Sequence, residues 1–195
     1  MNLALVLRPR TSRGYFFLAA ILIILTGAHY VAKADVATPE QIMFAMEGVP
    51  LSHPIDLPDN ALRMMRKNPT VLDCLKQGQS PDDIPGMWFV ASEIHLSTSG
   101  QSDLVVMPRD MSESPSANRF LFHAHSMPFW ILLKRGKAYT IALEANVQML
   151  KVLSTASQGH RDIETTATNL NETTNWLYRF NGEKYILKKK TSIPQ

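Results

Sequence analysis

A short pattern that occurs twice constrains the fold of this chain more than any other feature. Gly100 and Gly159 are each followed three residues later by an aspartate, Asp103 and Asp162. Further along, a Trp, a Gly and a Tyr recur at an offset of 46 residues, as Trp130, Gly136 and Tyr139 and then as Trp176, Gly182 and Tyr185. Gly and Asp are typical of the turn before a strand, and Trp and Tyr are typical of cross-strand packing. The pattern therefore predicts two similar strand–turn–strand units, which arose either by duplication or independently.

Strand signals dominate the second half of the chain. Runs rich in β-branched, aromatic and apolar residues are separated by Gly, Pro and Ser, which is typical of hairpins. Asn181-Gly182 predicts a two-residue type I′ turn. Residues 120–125 fit either a strand or an irregular crossing. The predicted strands are 88–96, 103–107, 129–133, 138–143, 147–153, 162–168, 176–180 and 185–189.

Helix signals are confined to the segment before residue 88. Thr38-Pro39-Glu40 is typical of the start of a helix, and Gly48 is typical of its end. This helix is predicted to bury Ile42, Met43 and Met46. Further helices are predicted over 59–66 and 69–76, and Ser80 begins a capped turn.

Together these signals predict an α+β protein. We expect an N-terminal signal or anchor helix, short helices at about 38–85, and a mostly antiparallel twisted sheet of about seven to nine strands at about 88–190. The predicted units are a signal peptide or membrane anchor (1–34), a helical segment (35–87), a β domain with a possible internal duplication (88–190) and a tail (191–195).

The N-terminus predicts export. Three arginines precede an apolar run of 11 residues, Tyr15 to Leu25, and Ala32-Lys33-Ala34 before Asp35 resembles a cleavage site. A spanning helix needs about 20 apolar residues, so a cleaved signal is favoured and an uncleaved anchor is the alternative. Both place the body outside the cytoplasm, either periplasmic or secreted, or anchored to the inner membrane. Contact with the membrane is expected only if the segment is uncleaved.

The charge distribution argues against a nucleic-acid partner. Four of the 20 basic residues and none of the 17 acidic ones precede Asp35, so the remainder carries 16 basic and 17 acidic residues, a net charge of −1. Phosphate binding needs a basic excess. We therefore expect a protein partner; no sequence signal bears on the oligomeric state.

Motifs of known catalytic or cofactor sites are missing from the sequence. It contains no nucleophile elbow, Walker loop, dinucleotide Gly motif or His-Glu-x-x-His. The single cysteine, Cys74, has apolar neighbours, which is typical of a buried side chain. We therefore expect no cofactor and favour a non-enzymatic role; an envelope hydrolase or metal-dependent enzyme is the alternative.

His123-Ala124-His125 is the candidate metal site. Residues i and i+2 of a strand face the same side, so both imidazoles could reach one ion, with His95, His160 or a carboxylate as third ligand. The alternative is that two partly exposed histidines near a turn bind nothing.

The same region distinguishes the two repeats. Asp103 and Trp130 are 27 residues apart, whereas Asp162 and Trp176 are 14 apart, so the first repeat has 13 extra residues. Because loops on a scaffold commonly carry recognition, we predict a recognition loop over 110–128. Its candidate residues are Asp110, Glu113, Asn118, Arg119, His123 and His125.

Residues 88–190 resemble a group of small exported bacterial β-rich proteins of unassigned function. In these proteins a Gly-x-x-Asp-Ile strand, here Gly159 to Ile163, precedes a Tyr-Arg-Phe-Asn-Gly-x-x-Tyr hairpin, here Tyr178 to Tyr185. The resemblance implies a bacterial envelope protein and supplies no catalytic residue. Periplasmic inhibitors of lysozyme are similar in size and export. The expected function is therefore binding in the envelope, as an inhibitor or immunity partner of a hydrolase; an anchored structural protein is a further alternative.

Overall fold

The computed structural model describes the chain from Gln41 onward with several gaps. The expected signal or anchor helix, 1–34, lies outside this part. Within it, no helix is both long and apolar enough to cross a bilayer. The described residues are 41–47, 49, 51–75, 78–97, 100–109, 121 and 125–195.

Strands make up most of the described chain, and two short helices lie between the second and third strands. The helices are α1 (Asp59–Met65) and α2 (Pro69–Leu72). The strands are β1 (Ile42–Ala45), β2 (Pro54–Ile55), β3 (Phe89–Ile94), β4 (Asp103–Pro108), β5 (Met127–Arg135), β6 (Ala138–Val147), β7 (Met149–Ser157), β8 (His160–Thr168), β9 (Glu172–Phe180) and β10 (Tyr185–Pro194).

The strands form two five-stranded antiparallel sheets. The central sheet has the order β2-β3-β4-β5-β6, and the C-terminal sheet has the order β1-β7-β8-β9-β10. Each sheet therefore consists of one short N-terminal strand followed by a four-stranded meander. The prediction of a mostly antiparallel β region is confirmed, with the strands divided between two sheets.

The central sheet is buried on both faces. All of β4 and the first seven residues of β5 are buried. One face packs against the C-terminal sheet, in a core that includes Val105, Phe129 and Leu150. The other face packs against the helical segment, in a core that includes Trp130 and Met65. The described chain therefore has three layers, with the central sheet in the middle.

The two helices begin where the sequence predicts and are tied to the sheet. The side-chain oxygen of Asn68 accepts the N–H of Val71 at 3.1 Å, and Pro69 takes the first position of α2. The Asn68 amide also donates to Glu144 on β6 at 2.7 Å. Cys74, just after α2, is buried as expected.

The helix predicted over about 38–48 is wrong at Ile42–Ala45, which form β1. Phe44 is 1% exposed and Met43 is 41% exposed, so burial follows the strand period of two. Phe44 lies opposite Leu150 of β7, 106 residues later in the chain. This distant partner overrides the local helix signal.

The hairpin predicted around Asn181-Gly182 is present, but its turn is longer than two residues. Phe180 pairs with Tyr185, which leaves a four-residue loop. The side-chain oxygen of Asn181 accepts the N–H groups of the two residues before Tyr185, at 3.0 and 2.9 Å. The Asn side chain thus closes the loop as an Asx turn.

The tight turn with two positive φ angles lies between β7 and β8 instead. Gln158 and Gly159 have φ values of 47° and 76°, and Ser157 pairs with His160 on either side of them. Gly159 is the first residue of the second repeat. It allows the positive φ angle of this turn, so its role is structural, as the sequence predicts.

The two repeats take equivalent places in the two sheets but turn opposite faces to the core between them. The first hairpin is β5–β6 of the central sheet, and the second is β9–β10 of the C-terminal sheet. Trp130 and Tyr139 lie in the core under the helices. Trp176 and Tyr185 belong to the core between the sheets. Equal sequence positions therefore have different neighbours.

A single residue, Gln148, connects the sheets. β6 ends at Val147 in the central sheet, and β7 begins at Met149 in the C-terminal sheet. The Gln148 side chain donates to the carbonyl of Thr168 at 2.9 Å and accepts the N–H of Thr168 at 2.8 Å. Its backbone N–H donates to the Thr166 carbonyl at 3.0 Å. These bonds satisfy polar groups where the chain changes sheets.

The last strand runs through the residues expected to form a tail. β10 extends to Pro194 and is the outer strand of its sheet. It exposes Lys188, Lys189 and Lys190, and its pairing with β9 is irregular after Leu187. Lysines and a bulge are typical of an edge strand that resists pairing with other chains.

Trp130→Ala should lower the free energy of unfolding by about 3–5 kcal/mol, because a fully buried aromatic ring leaves a cavity. Trp176→Ala, at the matching place in the second repeat, should cost less than half as much, because that ring is only partly buried. Guanidinium unfolding followed by circular dichroism measures both losses. Equal losses would contradict the different surroundings of the two rings.

Candidate functional site

Asp103, Asp162 and Tyr185 of the two repeats form one buried polar cluster, and Tyr139 belongs to the core under the helices. Asp103 and Asp162 are each 2% exposed, and Tyr139 and Tyr185 are each 5% exposed. Burial raises the pKa of Tyr185, and the charges of both aspartates raise this pKa further. Burial also raises the pKa of Tyr139, and the charge of Asp103 contributes. The carboxyl groups therefore lie within electrostatic reach of the phenols.

Only one oxygen of the Asp103 carboxyl has a hydrogen-bond partner among the described residues. Oδ1 accepts the backbone N–H of Lys134 at 3.0 Å, and Oδ2 is buried without a partner in this part of the chain. Burial raises the pKa of Asp103, and the N–H groups of Lys134 and Leu96 oppose the rise. The charges of His160 and Arg135 also oppose it. Burial is the largest of these effects, so the pKa of Asp103 lies above its ordinary value.

Asp162 connects the strands of the C-terminal sheet. Its Oδ2 accepts the hydroxyl of Thr155 on β7 at 2.9 Å and lies 3.8 Å from Nε of Arg179 on β9. The Tyr185 hydroxyl on β10 donates to the carbonyl of Arg161 on β8 at 2.9 Å. The cluster therefore joins all four strands of the meander.

This geometry suits a structural role. A general acid or base must come within about 2.6–3.2 Å of a substrate atom. Asp103 and Asp162 are almost completely buried, so a substrate has no direct access to either carboxyl. The perturbed pKa of Asp103 is explained by burial and affects stability.

The histidines considered as metal ligands are not brought together in the described structure. His123 lies outside it, and His125 is exposed at the turn before β5. His95 lines a different cavity from His125, and the His160 ring stacks on Phe180 with 4.0 Å between centroids. Among the described residues, no group of three His, Cys, Asp or Glu side chains is placed to hold a metal ion.

Most of the predicted recognition loop lies outside the described residues. His125 is the exception among its candidates, and it lines two cavities of about 300 and 420 Å³. The candidates outside are Asp110, Glu113, Asn118, Arg119 and His123.

We name the surface formed by these two cavities the His125 end. It brings together the end of β1, the joint between the sheets and the turn between β8 and β9. Among the described residues, the first cavity is lined by Ala45, Met46, Glu47, His125, Gln148 and Met149. The second is lined by His125, Thr168, Asn169, Leu170 and Asn171.

Leu170 is the most exposed large apolar side chain of the described chain, at 95%. The side-chain oxygen of Asn169 accepts the N–H groups of Asn171 and Glu172 at 2.9 and 3.0 Å. The Asn169 N–H donates to the Glu172 carbonyl at 2.9 Å. The turn that carries Leu170 is therefore closed by its own hydrogen bonds. The sequence prediction missed this residue, although a leucine between two asparagines in a turn was a usable signal.

A larger cleft of about 710 Å³ has walls from both sheets. Its floor is apolar, because Ile94 and Leu96 are 2% and 1% exposed. His53, Glu93 and His95 are exposed at its rim. These residues come from separate parts of the sequence, so no local motif marks the inter-sheet cleft.

The chain matches no protein-family model, no curated protein and no solved structure in comparisons with known proteins. Its function is therefore inferred from the geometry of the described residues.

Stability should fall as the pH rises through the raised pKa of Asp103. Between the ordinary carboxyl pKa and this raised value, the folded chain holds a proton that the unfolded chain has lost, so raising the pH favours unfolding. Asp103→Asn should remove this part of the pH dependence, because the amide oxygen can still accept the Lys134 N–H.

Urea unfolding at a series of pH values measures the effect. Glu183→Gln, in the exposed loop after β9, is the matched control and should leave the profile unchanged. An unaltered profile for Asp103→Asn would show that Asp103 is not the responsible group.

Proposed function

We propose that the chain is an exported, non-enzymatic binding protein of the bacterial cell envelope that binds another protein through the His125 end. An inhibitor or immunity partner of a hydrolase is the role we infer. The observation that carries the proposal is Leu170, a large apolar side chain that is 95% exposed on a turn closed by hydrogen bonds.

The physical argument concerns the entropy cost of binding. Ordering a mobile loop or side chain weakens association, so an apolar anchor held on a closed turn loses little freedom when it enters a partner's pocket. The cavities lined by His125 provide concave surface beside this anchor. Glu47 and His125 line the first cavity and His125 also lines the second, so polar groups border the surface, as at the rims of protein interfaces.

The attachment of the predicted recognition loop supports the same surface. β4 and β5 are antiparallel neighbours, and Val106 lies opposite Trp130. The end of β4 at Pro108 and the start of β5 at Met127 therefore lie at the same end of the central sheet. Met127 pairs with Val147, next to the joint at Gln148. Both ends of the loop thus attach beside the His125 end.

Export is supported by the N-terminal arginines and the apolar run that follows them. The near-neutral charge after Asp35 suits a protein partner better than a nucleic acid. An uncleaved segment would keep the same binding surface and anchor it to the inner membrane.

A photo-crosslinking amino acid at position 170 should form adducts with a discrete protein in envelope extract. The same amino acid at Leu187, which is 52% exposed on β10, is the matched control and should not give these adducts. For the partner identified by mass spectrometry, Leu170→Asp should weaken binding at least tenfold, because a charge would take the place of the apolar side chain that enters the partner's pocket. Surface plasmon resonance measures this change.

Equal adducts from both positions, or unchanged affinity of Leu170→Asp, would remove the His125 end as the interface. Circular dichroism should show that the variant remains folded, since the side chain contributes almost no buried surface.

N-terminal sequencing of the protein recovered from cells should give Asp35 as the first residue. Cleavage is expected after Ala32-Lys33-Ala34, because small residues at these positions fit the signal-peptidase pattern. Ala34→Arg should block processing, and Lys33→Gln is the control that should be processed normally. Recovery of the wild-type chain with an intact N-terminus would establish the anchored form.

A further inference from the structure

A basic cavity lies at the end of the central sheet that is remote from the His125 end. It has a volume of about 200 Å³ and is lined by Arg63 and Lys67 of the helical segment and by Lys137 in the turn between β5 and β6. We name it the Lys137 cavity. The nine residues of β5 separate the two ends of the sheet by roughly 26 Å. A ligand in this cavity would therefore leave the proposed protein-binding surface free.

The three basic side chains of the Lys137 cavity have no charge partner in the described part of the chain. Arg63, Lys67 and Lys137 are exposed, and the ion pairs between described residues involve none of them. None of the described residues that line the cavity has a carboxyl group. Its other lining residues are Asn60, Met64, Ala138 and Tyr139.

The fold brings these three charges together from distant parts of the sequence. The Lys67 N–H donates to the Met64 carbonyl at 3.1 Å, so a helical turn continues past the end of α1. Arg63 and Lys67, four residues apart, therefore lie on one side of it. The side-chain amide of Asn60 in α1 donates to the Lys137 carbonyl at 2.9 Å. This bond ties the β5–β6 turn to α1.

The turn that carries Lys137 is short. Arg135 pairs with Ala138, so Gly136 and Lys137 form a two-residue turn. Gly136 has a φ of 63°, and Gly at the first position of such a turn is typical of type II′. The position of Lys137 beside α1 is therefore set by a tight turn as well as by the Asn60 bond.

The grouping of the three bases has an electrostatic cost. Like charges four residues apart on a helix destabilise it, and Lys137 adds a third positive charge beside Arg63 and Lys67. The C-terminal end of a helix attracts basic side chains, which accounts for two of these residues. Lys137 belongs to another element and is not explained in this way. An anion between the three would remove the repulsion.

Acidic residues act on the inner wall of the cavity more than on its exposed side. Burial is the main cause of the raised pKa of Tyr139, and the charges of Glu93 and Asp103 add to it. Tyr139 forms the buried wall. Asp59, one turn before Arg63, is exposed and forms no ion pair with another described residue. The side with the three bases is therefore the favourable one for an anion.

The size and charge of the cavity fit a phosphate monoester. A guanidinium group can bind two phosphate oxygens at once, and lysine ammonium groups are common phosphate ligands. A phosphate monoester carries about −1.5 to −2 charges at pH 7. Three cations around a cavity of about 200 Å³ suit such a compact dianion better than a single carboxylate or an extended acidic peptide.

We propose that the Lys137 cavity binds a phosphate monoester group through Arg63, Lys67 and Lys137. This chemistry occurs both in small soluble phosphates and in lipid head groups such as that of phosphatidate. The bond from Asn60 to the β5–β6 turn holds the two elements together before the ligand arrives, so less freedom is lost on binding.

Titration of the isotope-labelled full chain with glycerol 3-phosphate, followed by amide shifts in NMR spectra, tests the site. The shifts should be concentrated at residues 60–67 and 136–139. Dimethyl phosphate is a diester with a single charge and should bind about tenfold more weakly, because each ion pair loses part of its attraction. Equal affinity for the two ligands, or shifts concentrated elsewhere, would overturn the proposal.

A triple variant tests the bases themselves. Arg63→Gln, Lys67→Gln and Lys137→Gln in one chain should weaken glycerol 3-phosphate binding by about tenfold, from the loss of three exposed charge contacts. The matched control loses the same charge from three exposed lysines of β10 and should bind as the wild type does. Its substitutions are Lys188→Gln, Lys189→Gln and Lys190→Gln. An equal loss in both variants would mean a response to net charge alone and would refute the proposal.

Asn60→Ala tests whether the bases act as one site, since it keeps all three charges and removes the bond to the β5–β6 turn. It should weaken binding about threefold, because the turn must then be ordered by the ligand. Lys137→Arg, which keeps the charge, should bind within about twofold of the wild type. Unchanged affinity of a folded Asn60→Ala chain would contradict a preformed site.

Co-sedimentation with vesicles distinguishes the two sources of phosphate. If the ligand is a lipid head group, phosphatidylcholine vesicles that contain phosphatidate should retain more wild-type chain than triple variant. Vesicles that contain phosphatidylglycerol, a diester, should not distinguish the two chains. Equal retention on both kinds of vesicle, with glycerol 3-phosphate bound in solution, would assign the site to soluble phosphate monoesters.

Discussion

Burial of the central sheet on both faces is the constraint on which the rest of the structure depends. β4 and most of β5 are buried at successive positions, so two separate layers must exclude water from them. Burial of apolar surface is the main favourable term in folding, and here it orders both covering layers.

Helices of seven and four residues do not persist alone in water. α1 and α2 are therefore stable because they cover Trp130 and its neighbours. The C-terminal sheet covers the opposite face, and among the described residues neither core lies on its outer side.

The sequence is informative where local patterns decide the structure and misleading where distant partners do. The strands of the meanders and the starts of α1 and α2 follow from spacing and capping residues such as Asn68. The strand character of Phe44 depends on Leu150, a partner that no local window contains. Where the chain passes from one sheet to the other, the Gln148 side chain forms two hydrogen bonds with Thr168, and no sequence motif predicts this contact. The same limit applies to the sites. A His-x-His pattern draws attention to His125, whereas the cleft exists only after two sheets have met.

Equivalent residues of the two repeats have different structural roles, because the two hairpins turn opposite faces to the core between the sheets. Trp130 is a fully buried contact for the helical segment, and Trp176 is a partly buried contact between the sheets. Asp103 and Asp162 nevertheless converge with Tyr185 in one cluster, whose hydrogen bonds join the strands of the C-terminal meander. Leu170 and the proposed binding surface lie at the other end of β8, beyond Thr168. The repeated residues are thus buried and have a structural role.

The placement of β1 has a consequence for the order of folding. β1 precedes all of the central sheet in the chain, yet it pairs with β7, which follows that sheet. A chain synthesised from its N-terminus can complete the central meander while β1 still lacks its neighbour. The contact between β1 and β7 closes a loop of more than 100 residues, and such closure is entropically costly and slow. Each sheet contains a strand from before α1 and a meander from after α2. The strands of the two sheets are therefore interleaved along the chain. The C-terminal sheet combines β1, from the N-terminal part, with β7 to β10. The C-terminal sheet is therefore complete only when β1 has come together with the four strands that follow the central sheet in the chain.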